Sequence, residues 1–142
     1  MTILMPFHLA LPVKELGETA DFYKNVLNCK QGRRSEKWMD LDFFGHQLVL
    51  HITKDKKSED IDPTNPVDGH DVPIPHFGVV LNYDDWYEME KKLKEYGMKF
   101  LIEPYIRFKG EAGEQATMFF YDPSGNAVEL KAFKDLSQLF AG

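Results

Sequence analysis

The chain has 142 residues, 43% of them hydrophobic, enough for one cored domain. Its 17 Lys and Arg stand against 23 Asp and Glu, a net charge of −6, and the longest basic cluster is Lys54-Asp55-Lys56-Lys57, so no nucleic acid partner is expected. The lone Cys29 excludes an internal disulfide and a Cys-based zinc site and fits a reducing cytoplasm, while the absence of a signal-like N-terminus or a long apolar run predicts a soluble, unprocessed protein with no membrane partner.

In chain order, Phe7 to Val13 reads as a buried strand, and Leu16, Ala20, Tyr23 and Leu27 then recur at helical spacing up to Asn28, with no good cap at the start. Strands are predicted around Gln31 to Arg34, Trp38 to Phe44 and Gln47 to Ile52, the last two joined by a Gly45-His46 turn. Residues 54–75 are rich in Lys, Asp, Ser, Pro and Gly and read as a linker or exposed loop. A strand opens at His76 and runs to Leu81. Asp84 is then placed to cap a helix with the stripe Trp86, Met89, Leu93 and Tyr96, which Gly97 stops. Strands follow at Lys99 to Ile102, Ala116 to Tyr121 and Ala127 to Phe133, with Asp122-Pro123-Ser124-Gly125-Asn126 as the last turn.

The order βαβββ thus occurs twice, in halves of about 5–53 and 76–134. His8 and His76 open equivalent strands, and the stretch from Gly45 to Leu50 aligns with that from Gly125 to Leu130. The predicted fold is α+β, with the two modules forming a single domain, a curved eight-stranded cavity with helices outside.

Alternation along the strands separates an apolar face from one that carries His8, Gln47, Val49, His51, His76, Glu129 and Lys131. Taken singly, a strand His is commonly a hydrogen-bonded core residue and a Glu near a turn commonly faces solvent. That two of them hold equivalent repeat positions, with the third on the same face, is nothing that core packing requires. His8, His76 and Glu129 are therefore the expected ligands of one divalent metal, an N,N,O set that suits Fe(II), Mn, Ni or Zn and leaves positions open for substrate.

These residues, together with the turn before Glu129, resemble the vicinal oxygen chelate superfamily of glyoxalases, bleomycin and fosfomycin resistance proteins and extradiol dioxygenases. The likeness covers nearly the whole chain, and the stretches Asp42 to Gln47 and Arg107 to Glu111 look like its small branch of predicted extradiol dioxygenases. It implies metal ligands on the first and last strands of each half. Val49 stands where glyoxalase I places a second carboxylate, so three ligands remain, the set with which extradiol enzymes hold Fe(II). Phe119 stands where larger enzymes of that kind tend to carry a tyrosine, and no histidine lies between His76 and Glu129.

The resemblance implies an Fe(II) dioxygenase using O2 and a small aromatic or enediol-like substrate. A glyoxalase-like isomerase or lyase and a non-catalytic small-molecule binder of the resistance type are the alternatives. His51, or His46 if the strand is bulged, is the expected acid or base, since imidazole exchanges protons near neutrality. Arg107 and Lys109, in the loop-rich segment Tyr105 to Gln115, can bind a substrate anion, and Trp38 and Tyr121 are further candidates for substrate contact. Trp38, Asp40 and Phe44 are expected on one strand face. Exposed sheet edges predict a homodimer.

Overall fold

The structure, a computed structural model, describes residues 3–54 and 62–142. Residues 55–61 of the expected linker lie outside the described residues. The chain divides into two compact units, the first comprising residues 1–60 with 122–126 and the second 61–121 with 127–142.

The first unit is a βαβββ module: β1 (His8–Val13), α1 (Gly17–Asn25), β2 (Lys30–Arg34), β3 (Trp38–Phe43) and β4 (His46–Ile52). Its sheet has the order β1-β4-β3-β2, with β1 parallel to β4 and the other pairs antiparallel. The weak helix start is real, for Leu16 at the cap is already helical and has no side-chain bond, although the Glu15 carboxylate accepts the Glu18 N–H at 2.9 Å. The helix ends at Asn25, three residues before Asn28, which takes φ 60°. It buries Thr19, Ala20, Phe22 and Tyr23, and the Tyr23 ring meets Phe43 edge-on at 6.3 Å. The Asp122–Asn126 turn belongs to this unit. The buried Asp122 carboxylate accepts from Ser124 N–H, Asn126 N–H, Asn126 Nδ2 and the Tyr23 hydroxyl, all at 2.8–2.9 Å.

In the second unit, β7 (Phe77–Leu81), α2 (Tyr83–Tyr96), β8 (Ile102–Arg107), β9 (Gln115–Tyr121) and β10 (Ala127–Phe133) repeat the pattern in the order β7-β10-β9-β8, with β7 parallel to β10. The helix cap is Asn82 rather than Asp84. Asn82 has the extended backbone of a cap and accepts the Asp85 N–H at 2.8 Å, whereas Asp84 lies inside the first turn, where its charge faces the positive helix end. Gly97 stops the helix at φ 87°. Trp86, Met89 and Leu93 are buried as the stripe requires, and the Trp86 indole donates to the Leu130 carbonyl at 2.9 Å. Tyr96, 55% exposed, falls off the stripe.

Two strand expectations shift. The strand expected at Lys99 to Ile102 begins at Ile102 and runs to Arg107, its pairing with β9 interrupted between Ile102 and Tyr105, where Pro104 has no N–H to give. The region expected as a featureless linker contains a hairpin, β5 (Thr64–Val67) and β6 (His70–Pro73), closed by Asp68 at φ 51° and Gly69 at φ 79°. A small apolar cluster of Val72, Ile102 and Phe119, with Val67 and Tyr105 against it, fixes the hairpin to the second sheet.

The register of the repeat holds. Val49 pairs with Ala10 across β4 and β1 as Glu129 pairs with Gly78 across β10 and β7. The apolar set is buried where it is central (Leu48, Leu50, Val128, Leu130, Ala132) but not at its ends, since Phe7 and Ile52 are exposed. Among the described residues no helix is long and apolar enough to cross a membrane.

Candidate functional site

In the second unit, His76 sits just before β7, and its Nε2 lies 3.1 Å from Glu129 Oε1. The Pro73 carbonyl, 2.8 Å from Nδ1, can only accept, so Nδ1 carries a proton and Nε2 is left for Glu129 or a metal ion. The other carboxylate oxygen accepts the Thr117 hydroxyl at 2.5 Å. Phe119, the ladder partner of Glu129, meets the His76 ring edge-on at 4.9 Å.

The hydrogen bond to Glu129 raises the His76 pKa against the opposing effect of burial. Burial pushes the Glu129 carboxyl up, but hydrogen bonds from His76 and Thr117, with the nearby Lys131 charge, bring it below its ordinary value. An imidazole oriented by a carbonyl beside a carboxylate oriented by a hydroxyl is the donor chemistry that a divalent ion takes up. These two residues fit such an ion.

His8 lies in the first unit, on the sheet face that also bears Gln47, Val49, His51, Trp38, Asp40 and Asp42, as the ladder partners show. It is exposed, and its Nδ1 is 2.9 Å from Gln47 Oε1, so that, as at His76, a neighbouring oxygen holds Nδ1. A concavity of about 430 Å3 opens in this unit, lined by Lys30, Asp40, Asp42, His46 and Gln47 among others. Among the described residues, no three His, Cys, Asp or Glu side chains come together within either unit as a metal cluster.

Of the other expected residues, His51 is exposed and shares the face of Val49, as alternation requires. His46 is engaged, its Nδ1 accepting the Phe7 N–H at 2.8 Å. Trp38 is half-buried on the His51 face. Phe44 leaves that face, because at φ 51° it forms the turn and meets the Phe43 ring edge-on at 4.8 Å instead. Tyr121 is 40% exposed and opposite Ala127, on the Glu129 face, and Lys109 is exposed in the β8–β9 connection.

Arg107 is in β8 rather than in a loop. Its guanidinium lies over the Phe108 ring at 4.9 Å and grips Asp68, with Nε 2.5 Å from Oδ2 and Nη2 3.5 Å from Oδ1. The Tyr105 hydroxyl donates to the same Oδ2 at 2.9 Å. These two donors hold the Asp68 carboxyl below the ordinary range, while burial and Asp68 push the Tyr105 phenol up to about 12.

Thr117, Tyr105 and Asp68 are site residues that sequence reasoning missed. Thr117 lies two positions before Phe119, so the alternation already applied to β10 finds it. The Asp68-Gly69 pair between β-capable runs is a hairpin signal, and it brings Asp68 to β8.

A family description, Glyoxalase/Bleomycin resistance protein/Dioxygenase superfamily, matches residues 6–130. The crystal structure of a glyoxalase/bleomycin resistance protein/dioxygenase from Alicyclobacillus acidocaldarius is 33% identical, with 96% of each chain covered and a TM-score of 0.76. The fosfomycin resistance protein FosX from Listeria monocytogenes is 20% identical over 97% of this chain and 100% of its own, with a TM-score of 0.70, a likeness of fold. The glyoxalase domain-containing protein RDO1 of Mycosarcoma maydis is 24% identical over 90% of this chain and 68% of its own.

Proposed function

The chain belongs to the Glyoxalase/Bleomycin resistance protein/Dioxygenase superfamily, and on that premise we propose that it is a metal-dependent dioxygenase of the extradiol ring-cleaving type. Its substrate is a small aromatic or enediol-like molecule, its second substrate O2, and its metal Fe(II) in preference to Mn, Ni or Zn. The observation that carries this reading is the His76–Glu129 pair, in which Nε2 and a carboxylate oxygen stand 3.1 Å apart with both outer atoms already committed, so that an ion can take the place of the proton between them. Divalent metals are typical of this superfamily.

His76, Glu129 and His8 are the donors proposed to hold the ion. When bound, Fe(II) in an N,N,O set supplies Lewis acidity toward a vicinal diol and the redox step that couples the diol to O2. The chain's own residues do the rest. Pro73 and Gln47 accept from Nδ1 of the two imidazoles, so that Nε2 is the nitrogen each ring offers to an ion, and Thr117 and Lys131 favour the ionised form of Glu129. His51 is the proposed proton carrier, exposed on its face, whereas the Nδ1 of His46 is committed to Phe7. Arg107, Lys109, Trp38 and Tyr121 are the proposed substrate contacts. A second copy of the chain is the proposed partner, since β1 is a sheet edge and the preceding Ile3, Leu4, Met5 and Phe7 are 67–83% exposed. The proposed compartment is the cytoplasm.

The test is O2 uptake and ring-cleavage absorbance with a panel of catechols after anaerobic purification and loading with Fe(II), Mn, Ni or Zn. Turnover with Fe(II) or Mn alone supports the dioxygenase. A second reading, a glyoxalase-like isomerase or lyase, is favoured by Phe119, because the ring beside His76 offers no proton. Oxygen-independent turnover of a glutathione hemithioacetal with Ni or Zn establishes that reading instead.

A further inference from the structure

We propose that Tyr105 and Arg107 form an oxyanion subsite for the substrate, and that the Asp68 carboxylate of the β5–β6 hairpin occupies it until the substrate's own oxyanion displaces it. The location of this subsite rests on the functional reading above, but its test reads binding and requires no metal and no turnover.

The donors already hold an oxyanion. The two-pronged approach of Arg107 to both oxygens of Asp68, with the Tyr105 hydroxyl on one of them, is the arrangement by which a guanidinium and a phenol bind a carboxylate or a phosphonate. The Phe108 ring under the guanidinium sets the plane of the fork. In the ladder Tyr105 stands opposite Thr117, which in turn donates to Glu129, so the subsite and the His76–Glu129 pair lie along one sheet face. Gln115 stands opposite Arg107, and its buried Oε1 has no hydrogen-bond partner among the described residues, an acceptor for a ligand hydroxyl. The ligand that fits is a small hydroxylated acid.

Asp68 is suited to leave. It sits at the two-residue tip of a hairpin of two four-residue strands, its side chain is 37% exposed, and an ion pair so open to water holds weakly. The hairpin's apolar attachment runs through Val67, Val72, Ile102 and Phe119, so the tip carboxylate can swing out with Val72 still in place.

The experiment titrates metal-free, full-length protein with inorganic phosphate and, separately, with benzoate, following binding by NMR and calorimetry. Asp68→Asn, close in shape but without the competing charge, is expected to bind one or both anions about tenfold more tightly than the native chain. Adding Arg107→Gln to Asp68→Asn should remove that gain, and Tyr105→Phe should reduce it. The arm that gains more identifies the substrate group as phosphate-like or carboxylate. In native protein, a saturating anion should also speed amide exchange at Gly69 and His70. No gain in Asp68→Asn with either anion, or a gain that survives Arg107→Gln, overturns the proposal. Failure of catechol turnover leaves these binding results standing, so the two readings fail separately.

Discussion

Gly78 and Glu129 approach so closely across the β7–β10 ladder that a Cβ on residue 78 would fall 1.5 Å from the Glu129 carbonyl oxygen. Backbone cannot yield as a flexible side chain does, so Gly78→Ala must push β7 off β10. The expected cost is about 1–3 kcal/mol by chemical denaturation, in the range of overpacking changes. Because β7 follows His76 directly, the variant should also lose metal affinity although residue 78 ligates nothing; full metal content by elemental analysis would contradict this.

The proposed donors make a sharper set. His8→Ala, His76→Ala and Glu129→Ala should each strongly reduce the roughly one divalent ion per chain expected of purified protein. Val49→Ala, at the position equivalent to Glu129, should leave the ion in place while costing about 1–3 kcal/mol of stability for its buried side chain. Metal loss in Val49→Ala as complete as in Glu129→Ala would show that the ion is held elsewhere.

Acid should loosen the hairpin. The folded Asp68 carboxyl lies below its ordinary value of 3.8, chiefly through the Tyr105 hydroxyl and then Arg107. A depressed carboxyl contributes stability that is present above 3.8 and lost as the pH falls through its folded value. Screening by water at this half-exposed site keeps the contribution under about 1 kcal/mol. An NMR titration should show Gly69 and His70 amides shifting together below pH 3.8, and Asp68→Asn should abolish that step.

Tyr23→Phe tests the first unit. It removes a 2.8 Å bond to a buried carboxylate without changing shape, so the expected loss is about 1.5–3 kcal/mol by urea denaturation. A loss below half a unit would mean that Asp122 is satisfied by its three remaining donors.

Much of the fold was legible because apolar spacing and the 122–126 turn act locally, and the pairing of Val49 with Ala10 and of Glu129 with Gly78 confirms the repeat register. What escaped has physical causes. Asn82 and Asp84 are both good caps, and only backbone geometry decides between them. The β5–β6 hairpin has little apolar content of its own and takes its attachment from Ile102 and Phe119, distant in sequence. The pairing of Arg107 with Asp68 was not legible, because it spans 39 residues and depends on that hairpin. Strand alternation found Glu129, but the Pro73 carbonyl that fixes the tautomer of His76 is not encoded in side-chain type at all.

The Asp122–Asn126 turn has a consequence for the order in which the protein is made. Tyr23 and Thr19 bury their hydroxyls against Asp122 and Ser124, partners 99 and 105 residues further along the chain, and the Pro12 carbonyl waits for Asn126. While the nascent chain emerges, the first helix and its sheet are present with their polar tips unanswered, and closure of so long a loop is slow. A gene fragment ending in the linker should therefore yield an unfinished half, sticky on the face of α1 that carries Tyr23, and a separately supplied peptide spanning residues 115–133 is the piece that would complete it.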